Sequence, residues 1–289
     1  MNVSVYTVRS FAKTEEGGNE AGVVLNADNL SEEEMRKIAA LIGFSETAFV
    51  MNSKVADFKV RFFTPQDEVD LCGHATIAVF YTMAVTGLLK TGAYKQETKA
   101  GILGIEVKEN QFIMMNQTIP VFSDLPDRYE IADSLNIQES QLSQDLPVQI
   151  VSTGIRDIII PVTGIQQLFA IQPDMEKIRQ ISRKYNVIGY HVFTLETQYG
   201  ATAACRNFAP LYDILEEAAT GTSNGALGCY LYHYGKVDSG QANNLVFEQG
   251  YSMKKPSEIL VSLLVEGEEI LGVRVGGSAR NLRIRKVEL

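Results

Sequence analysis

Two short stretches decide the fold of this chain: RFFTP at residues 61–65 and RNFAP at residues 206–210. Each is followed by an acidic stretch, a glycine, an apolar run of helical length and a second glycine; these glycines are Gly73 and Gly87 in one copy and Gly221 and Gly235 in the other. The glycine-to-glycine interval is the same in both copies (87 − 73 = 14 and 235 − 221 = 14). The arginine-to-glycine interval differs by three residues (73 − 61 = 12 and 221 − 206 = 15). Two similar halves are therefore expected, with a binding cleft between them.

Composition indicates a soluble globular protein with one large domain or two smaller ones. Of the 289 residues, 45% are apolar and 21% are charged, which is ordinary for a folded chain. The net charge is −9 and the 26 basic residues are scattered, so no basic stripe is available to neutralise a phosphate backbone. The longest uncharged apolar run, residues 77–89, is too short to span a bilayer. Neither nucleic acid nor a membrane is an expected partner.

The cysteines and the N-terminus predict a cytoplasmic location. The three cysteines, Cys72, Cys205 and Cys229, are odd in number and have no CxxC spacing, which does not suggest a disulfide scaffold. The first residues alternate like a strand, with no basic region before an apolar stretch, and indicate no export signal.

Three helices are predicted. Ser31 and Glu34 have capping-box spacing, and apolar residues at helical spacing follow until Gly43, a typical helix stop. The runs 74–86 and 222–234 contain no lysine, arginine or carboxylate. Helices in these two runs should therefore be buried on all sides.

The remaining apolar runs predict strands, so the expected fold class is α+β, with strands wrapped around one central helix in each half. Expected strands are 3–11, 48–50, 58–63, 105–107, 112–115, 155–161, 191–195, 245–247, 259–265 and 270–275. Of these, 48–50 and 58–63 could pair as a hairpin. The first half is predicted to span residues 1–125, which the C-terminal strands 275–289 could complete, and the second half residues 126–274.

Each predicted central helix begins at a glycine, and this arrangement suits an anionic ligand. The first N–H groups and the positive end of the helix dipole would face the space in front of Gly73 or Gly221. An anionic group can be held there without a lysine. The alternative is that both are turn glycines before ordinary helices, although the duplication favours a site.

Glu46 and His74 are candidates for proton transfer. Glu46 lies between the first helix and an apolar strand, where partial burial would raise its pKa and suit it to proton abstraction. His74 would lie in the first turn of a buried helix, where a neutral imidazole is favoured. The alternatives are a solvated glutamate and a histidine bonded to local backbone. His191 and His233 have no companion at metal-ligand spacing and are interpreted as structural.

Five motifs, in order along the chain, resemble the phenazine-biosynthesis PhzF-like family, which shares the two-domain fold of diaminopimelate epimerase. The motifs are GNEAGV at 18–23, SETAFV at 45–50, RFFTP at 61–65, CGHAT at 72–76 and ATGT at 219–222. The resemblance extends over nearly the whole chain, from Phe11 to Gly277.

This resemblance implies a homodimeric isomerase or epimerase that needs no cofactor and no metal, with its active site between two similar halves. Glu46 would be the general acid/base that moves a proton on a small carboxylic acid, and His74 would line the pocket beside it. The second half would contribute Glu217 as a third catalytic residue. The implied substrate-binding residues are Asn19, Cys72, Gly73, Thr220, Gly221 and Thr222.

Several positions depart from the family pattern, and they leave the substrate unpredicted. Glu217 replaces an aspartate, Ala218 and Glu20 replace prolines, Thr222 replaces a serine, and Lys255 stands near a frequent arginine. An extra methylene at Glu217 would displace its carboxylate by about a bond length, in a site where such shifts are costly. A changed pocket suggests a changed substrate.

Two other functions stay open on the sequence alone. The chain could be a non-catalytic small-molecule binding protein that retains the fold, or a single-base amino-acid epimerase. A two-cysteine mechanism like that of diaminopimelate epimerase is not expected, because Thr220 stands where the second cysteine would be and a hydroxyl is a far weaker acid than a thiol. Cys72 is then either an inert pocket residue or a remnant nucleophile.

Overall fold

A computed structural model describes residues 2–289, which form two compact units. The first unit comprises the residues up to Asn116 together with Gly276–Leu289, and the second comprises Gln117–Val275. Both contain helices and strands, and the predicted α+β fold class is confirmed. No helix in residues 2–289 combines the length and apolar character needed to cross a membrane.

The first unit contains two helices and most of its strands in one continuous stretch. These elements are β1 (Asn2–Ser10), β2 (Asn19–Val24), α1 (Glu32–Ile42), β3 (Glu46–Met51), β4 (Phe58–Phe63), β5 (Glu68–Val69), α2 (Gly73–Val85), β6 (Gly92–Thr98), β7 (Gly101–Val107) and β8 (Ile113–Gln117).

The second unit contains four helices, after which the chain returns to the first unit. Its elements are β9 (Val121–Phe122), α3 (Arg128–Ser134), β10 (Gln149–Ser152), β11 (Arg156–Pro161), α4 (Ile165–Ala170), α5 (Met175–Tyr185), β12 (Gly189–Thr194), β13 (Ala203–Ala209), β14 (Ile214–Glu217), α6 (Gly221–His233), β15 (Leu245–Gln249), β16 (Ser257–Glu266) and β17 (Glu269–Gly277). The last strand, β18 (Ala279–Glu288), pairs antiparallel with β1.

The two units repeat one order of strand pairing. In the first unit, β1–β2 is antiparallel, β2–β3 parallel, β3–β4 and β4–β5 antiparallel, β4–β6 parallel and β6–β7 antiparallel. In the second unit, β10–β11, β11–β12, β12–β13, β13–β14, β13–β15 and β15–β16 have the same senses in the same order. The units are therefore pseudo-symmetric, and the predicted hairpin of β3 with β4 is confirmed.

The two predicted buried helices are confirmed as α2 and α6, each of 13 residues. Each begins at its glycine, one residue earlier than the apolar run suggests. Neither has a lysine, an arginine or a carboxylate, and most of their residues are buried, although Val85 at the end of α2 is exposed. Gly87 and Gly235 follow the helix ends with φ of +77° and +64°, a conformation in which glycine has no Cβ penalty.

Helix α1 is confirmed at both ends. Ser31 and Glu34 form the predicted capping box, and Gly43 ends the helix with φ of +73°. The apolar face of α1, which includes Met35 and Ile38, packs in one core cluster with Phe49 of β3. Because β3 begins at Glu46, this packing fixes the start of the strand that carries the candidate catalytic carboxylate.

The repeated arginine joins a strand to the acidic segment that precedes each central helix. Arg61 donates two hydrogen bonds to the Glu68 carboxylate at 2.8 and 2.7 Å, and Arg206 donates two to Glu216, both at 2.9 Å. Each guanidinium also lies over the phenylalanine two residues later, at 5.0 Å from the Phe63 ring centroid and 4.8 Å from that of Phe208. The motif is thus a strand-to-loop clamp, and Arg61 holds the pKa of Glu68 below its ordinary value.

The clamp also accounts for the unequal spacing of the two copies. Seven residues separate Arg61 from Glu68 (68 − 61) and ten separate Arg206 from Glu216 (216 − 206), whereas each glutamate lies five residues before its helix glycine. The three additional residues therefore lie wholly between arginine and glutamate, where Pro210–Tyr212 forms a 3-10 turn.

The two clamps predict different sensitivities to replacement of arginine by lysine. Arg206 is buried and also donates to the backbone carbonyls of Leu168 and Ile171 at 3.1 and 2.9 Å. Lysine cannot reproduce the planar fork that satisfies these acceptors together. We expect Arg206→Lys to lower the free energy of unfolding by about 2 kcal/mol, measured by urea denaturation.

Arg61→Lys is the matched comparison, and we expect it to cost about 1 kcal/mol. The Arg61 side chain is more exposed than that of Arg206, 20% against 8%. Water can therefore replace some of the hydrogen bonds that the lysine variant loses. An equal loss in the two variants would contradict this account of the buried clamp.

Candidate active site

The structure brings Glu46, Cys72 and His74 together in the first unit. Glu46 is the first residue of β3, Cys72 is the N-cap of α2, and His74 lies in the first turn of that helix. All three are buried, with exposed fractions of 9%, 8% and 4%. The predicted proximity of the histidine and the glutamate is therefore present in the fold.

His74 has both neighbours within reach of its ring nitrogens. Its Nε2 lies 3.2 Å from Glu46 Oε2, within ion-pair distance, but the contact lacks hydrogen-bond geometry, and within residues 2–289 Oε2 has no hydrogen-bond partner. Cys72 Sγ lies 3.4 Å from Nδ1, and Ser45 Oγ lies 3.5 Å from Nε2. A buried carboxylate oxygen that lacks a partner is costly, which is typical of a group that acts on a ligand.

The N-terminus of α2 faces this cluster without a side-chain cap. Cys72 makes no capping hydrogen bond, so the first N–H groups of the helix are not satisfied by the residue that ordinarily does so. Ser10 Oγ donates to the His74 carbonyl at 2.6 Å, and Asn19 opposes Ser10 in the β1–β2 pair. Asn19 therefore lies on the strand neighbouring the segment that holds the helix start, while Gly73 is the first helical residue.

The corresponding segment of the second unit is organised around Thr220. Its Oγ1 donates to Glu217 Oε2 at 2.6 Å, a contact made by the longer side chain that replaces the family aspartate. Gln249 of β15 donates from Nε2 to the Glu217 carbonyl at 2.8 Å and accepts from the Thr220 N–H at 3.1 Å. Gln249 thus contacts two of the predicted site residues, and the sequence did not indicate it.

Gly221 and Thr222 open α6 as predicted, and Thr220 gives that helix no side-chain cap. Thr222 is 8% exposed, and its carbonyl accepts from Thr153 Oγ1 at 3.2 Å. The two helix starts thus share an uncapped first turn, with Cys72 and Thr220 at the equivalent cap position.

A buried polar network lies under the start of α6. Ser223 Oγ donates to Asp157 Oδ2 at 2.5 Å, and Asn207 Nδ2 donates to Ser223 Oγ and to His191 Nδ1, both at 3.2 Å. His191 Nε2 then donates to Asn224 Oδ1 at 3.3 Å. This order makes His191 a neutral imidazole with its proton on Nε2, and burial lowers its pKa to about 4.

Asp157 is the carboxylate of this network, and it is fully buried. Burial raises its pKa to about 7, and the negative charge of Glu217 acts in the same direction. In the parallel pair β11–β12, Asp157 opposes Gly189, whereas in the equivalent pair β2–β3, Ala21 opposes Glu46. Each unit therefore places one buried carboxyl at the same register position, but on opposite strands of the pair.

Comparisons with known proteins identify the family. The chain matches the family described as "Phenazine biosynthesis-like protein" over residues 8–283. It is 37% identical to an uncharacterized isomerase of Clostridium acetobutylicum over 96% of this chain and 95% of the relative. It is 33% identical to an uncharacterized isomerase of Bacillus subtilis over 97% and 98% of the two chains.

The structural comparisons agree. A crystal structure of a PhzF-family phenazine biosynthesis protein from Bacillus anthracis has a TM-score of 0.91 and 34% identity, with all of both chains covered. A hydroxyproline epimerase from Agrobacterium vitis, at 13% identity and a TM-score of 0.65 over 99% of this chain and 91% of that one, shares the fold. The fold and these relatives identify an isomerase with epimerase-like architecture. The chain belongs to the phenazine biosynthesis-like, or PhzF, family.

Proposed function

We propose that the protein is a cofactor-independent isomerase or epimerase that moves a proton on a small carboxylic acid, with Glu46 as the general acid/base. The observation that carries the proposal is the buried Glu46 carboxylate, whose Oε2 lies 3.2 Å from His74 Nε2 and lacks a hydrogen-bond partner within residues 2–289. A carboxylate in this state is available to take a proton from one carbon of a bound acid and, once that proton has exchanged with solvent, to deliver a solvent-derived proton to another carbon. His74 orients the carboxylate.

The start of α2 supports the choice of an anionic substrate. Its uncapped N–H groups and the helix dipole favour negative charge next to Glu46. The same donors stabilise an enolate-like intermediate as charge develops on the substrate carboxylate. Thr220, Gly221 and Thr222 offer an equivalent uncapped turn in the second unit.

A relative supports isomerisation as the reaction type. The chain is 27% identical, over 94% of both proteins, to trans-2,3-dihydro-3-hydroxyanthranilate isomerase of Pseudomonas chlororaphis. We propose the same class of reaction here. The substrate differs in our proposal, because Glu217 replaces the aspartate of the family motif.

Solvent exchange tests the proposal directly. Incubation of the protein in D₂O with a panel of small unsaturated and amino carboxylic acids should place one deuterium in a turned-over compound, detected by mass spectrometry and located by NMR. Proton transfer through one carboxylate predicts incorporation at the carbon that receives the proton. A compound that binds without exchange or isomerisation would indicate a binding protein instead.

Shortening Glu217 tests whether its extra methylene is adapted to this protein's own substrate. Glu217→Asp withdraws the carboxylate from Thr220 Oγ1, now 2.6 Å away. Because a hydrogen bond to a charged group contributes about 1.5–3 kcal/mol, we expect kcat/KM for proton exchange to fall about tenfold. The measurement is steady-state exchange in D₂O.

Glu266→Asp makes the same shortening at an exposed position of β16 and should leave exchange unchanged. If Glu217→Asp matched the parent enzyme on its own substrate, the contact with Thr220 would have no part in the reaction.

A further inference from the structure

We propose that Glu46, Cys72 and His74 also form an inhibitory binding site for Zn²⁺. One carboxylate oxygen, one thiolate sulfur and one imidazole nitrogen from these residues lie within 4.8 Å of one another. Carboxylate, thiolate and imidazole are the three ligand types that zinc takes from proteins. This site is distinct in chemistry from the proton transfer proposed above, because it concerns metal binding in the absence of substrate.

The separations of the ligand atoms are close to those around a tetrahedral ion. Ligands at about 2.0–2.3 Å from zinc lie about 3.3–3.8 Å from one another. His74 Nε2 lies 3.2 Å from Glu46 Oε2 and 3.9 Å from Cys72 Sγ, and its Nδ1 lies 3.4 Å from the same sulfur. The Glu46 and Cys72 ligand atoms lie within 4.8 Å of each other, so the three atoms surround one common point at which we place the ion.

The electrostatics of the cluster favour capture of a divalent cation. Glu46 and a metal-bound Cys72 thiolate contribute two full negative charges, and a coordinating thiol loses its proton outright. The dipole of α2 opposes a cation, but it amounts to only about half an elementary charge. Glu46 Oε2, which has no hydrogen-bond partner within residues 2–289, gains one strong interaction when a metal binds.

The ligand set also selects among metals. A single carboxylate with a thiolate and an imidazole is unsuited to Mg²⁺ and Ca²⁺, which take oxygen ligands. Three protein ligands leave the fourth zinc position to water. Bound zinc would occupy both the carboxylate and the imidazole proposed for proton transfer and would therefore block it.

Metal binding can be measured on the full chain without any substrate. Co²⁺ added to metal-stripped protein should give a thiolate-to-cobalt charge-transfer band in the near ultraviolet and visible bands of tetrahedral intensity. Zn²⁺ should displace it at a stoichiometry of one, whereas excess Mg²⁺ should not. Absence of the charge-transfer band at saturating Co²⁺ would overturn the proposal.

Variants assign the ligands. Cys72→Ser should abolish the charge-transfer band and weaken Zn²⁺ binding at least tenfold, whereas Cys229→Ala, which removes a buried thiol in the middle of α6, should retain both. Glu46→Gln should retain the band with at least tenfold weaker affinity, which tests the site even if Cys72→Ser fails to fold. Full affinity in both Cys72→Ser and Glu46→Gln would show that zinc binds elsewhere.

The metal-binding experiment can succeed or fail independently of the proposed proton-transfer function. If Co²⁺ and Zn²⁺ bind as described but Glu46→Gln leaves proton exchange intact, the metal site stands and the proton-transfer role of Glu46 is wrong. If no metal binds but exchange requires Glu46, the reverse holds.

Discussion

Replacing Glu46 with glutamine should lower kcat for proton exchange by about 10²–10⁴-fold, the usual contribution of a positioned general acid or base. Glutamine has nearly the same shape as glutamate, so it fits the start of β3, but it cannot accept a proton from carbon at neutral pH. KM should change little, because the N–H groups of α2 that we propose to bind the substrate anion remain. The measurement is deuterium incorporation during steady-state turnover.

Glu33→Gln is the matched control, since it makes the same change at an exposed position in the first turn of α1. It should retain full turnover. Circular dichroism and thermal unfolding should show that both variants are folded. Undiminished exchange in folded Glu46→Gln protein would refute the assignment of this carboxylate.

Replacing Asp157 with asparagine should remove a pH-dependent loss of stability. Burial holds the pKa of Asp157 at about 7, against 3.8 for an ordinary aspartate. Between these values the folded chain keeps a proton that the unfolded chain has released, so the free energy of unfolding falls as pH rises from about 4 to about 7. One pH unit corresponds to about 1.4 kcal/mol, so the full loss approaches about 4 kcal/mol.

Asparagine keeps the shape of the network without the charge. Its oxygen can accept from Ser223 Oγ as Asp157 Oδ2 does. At pH 8, Asp157→Asn should therefore be more stable than the parent, and below pH 4 the two should converge. Urea denaturation across pH 4–8 measures the difference in free energy of unfolding between the two proteins. The contributions of all other titrating groups, which both proteins share, cancel in this difference.

Asp145→Asn, at an exposed position, is the control and should leave the pH dependence unchanged. If Asp157→Asn and the parent differed by a constant amount from pH 4 to pH 8, the carboxyl would have an ordinary pKa in the folded state.

Helices were predictable from the sequence where a single local signal, such as an uncharged apolar run or a capping box, determined them. Helices α2 and α6 follow from runs without any charge, and α1 follows from its capping box and glycine stop. Helix α5 was not predicted, although Asp174 at its N-cap, Ile178 and Ile181 on its buried face and Asn186 at its end are the expected signals. Its charged composition masked a narrow apolar face.

Residues of the site were predictable only where a motif carried them. Glu46 is far from Cys72 and His74 in sequence but lies beside them because β3 and the start of α2 meet in one unit. Asp157 and Gln249 belong to no motif that the resemblance supplied, and their contacts are set by tertiary pairing. The one available signal was a lone carboxylate within the apolar strand of residues 156–161. Their roles stay predictions.

In each arginine clamp, the spacing from the glutamate to the helix glycine is constant, whereas the length of the segment from the arginine to the glutamate varies. The five residues from each clamp glutamate to its helix glycine fix where the helix begins, whereas the residues between arginine and glutamate have different lengths in the two units. For protein engineering, we expect the segment around Pro210–Tyr212 to accept an inserted peptide tag or reporter loop, because the contact of Arg206 with Glu216 would still fix the start of α6.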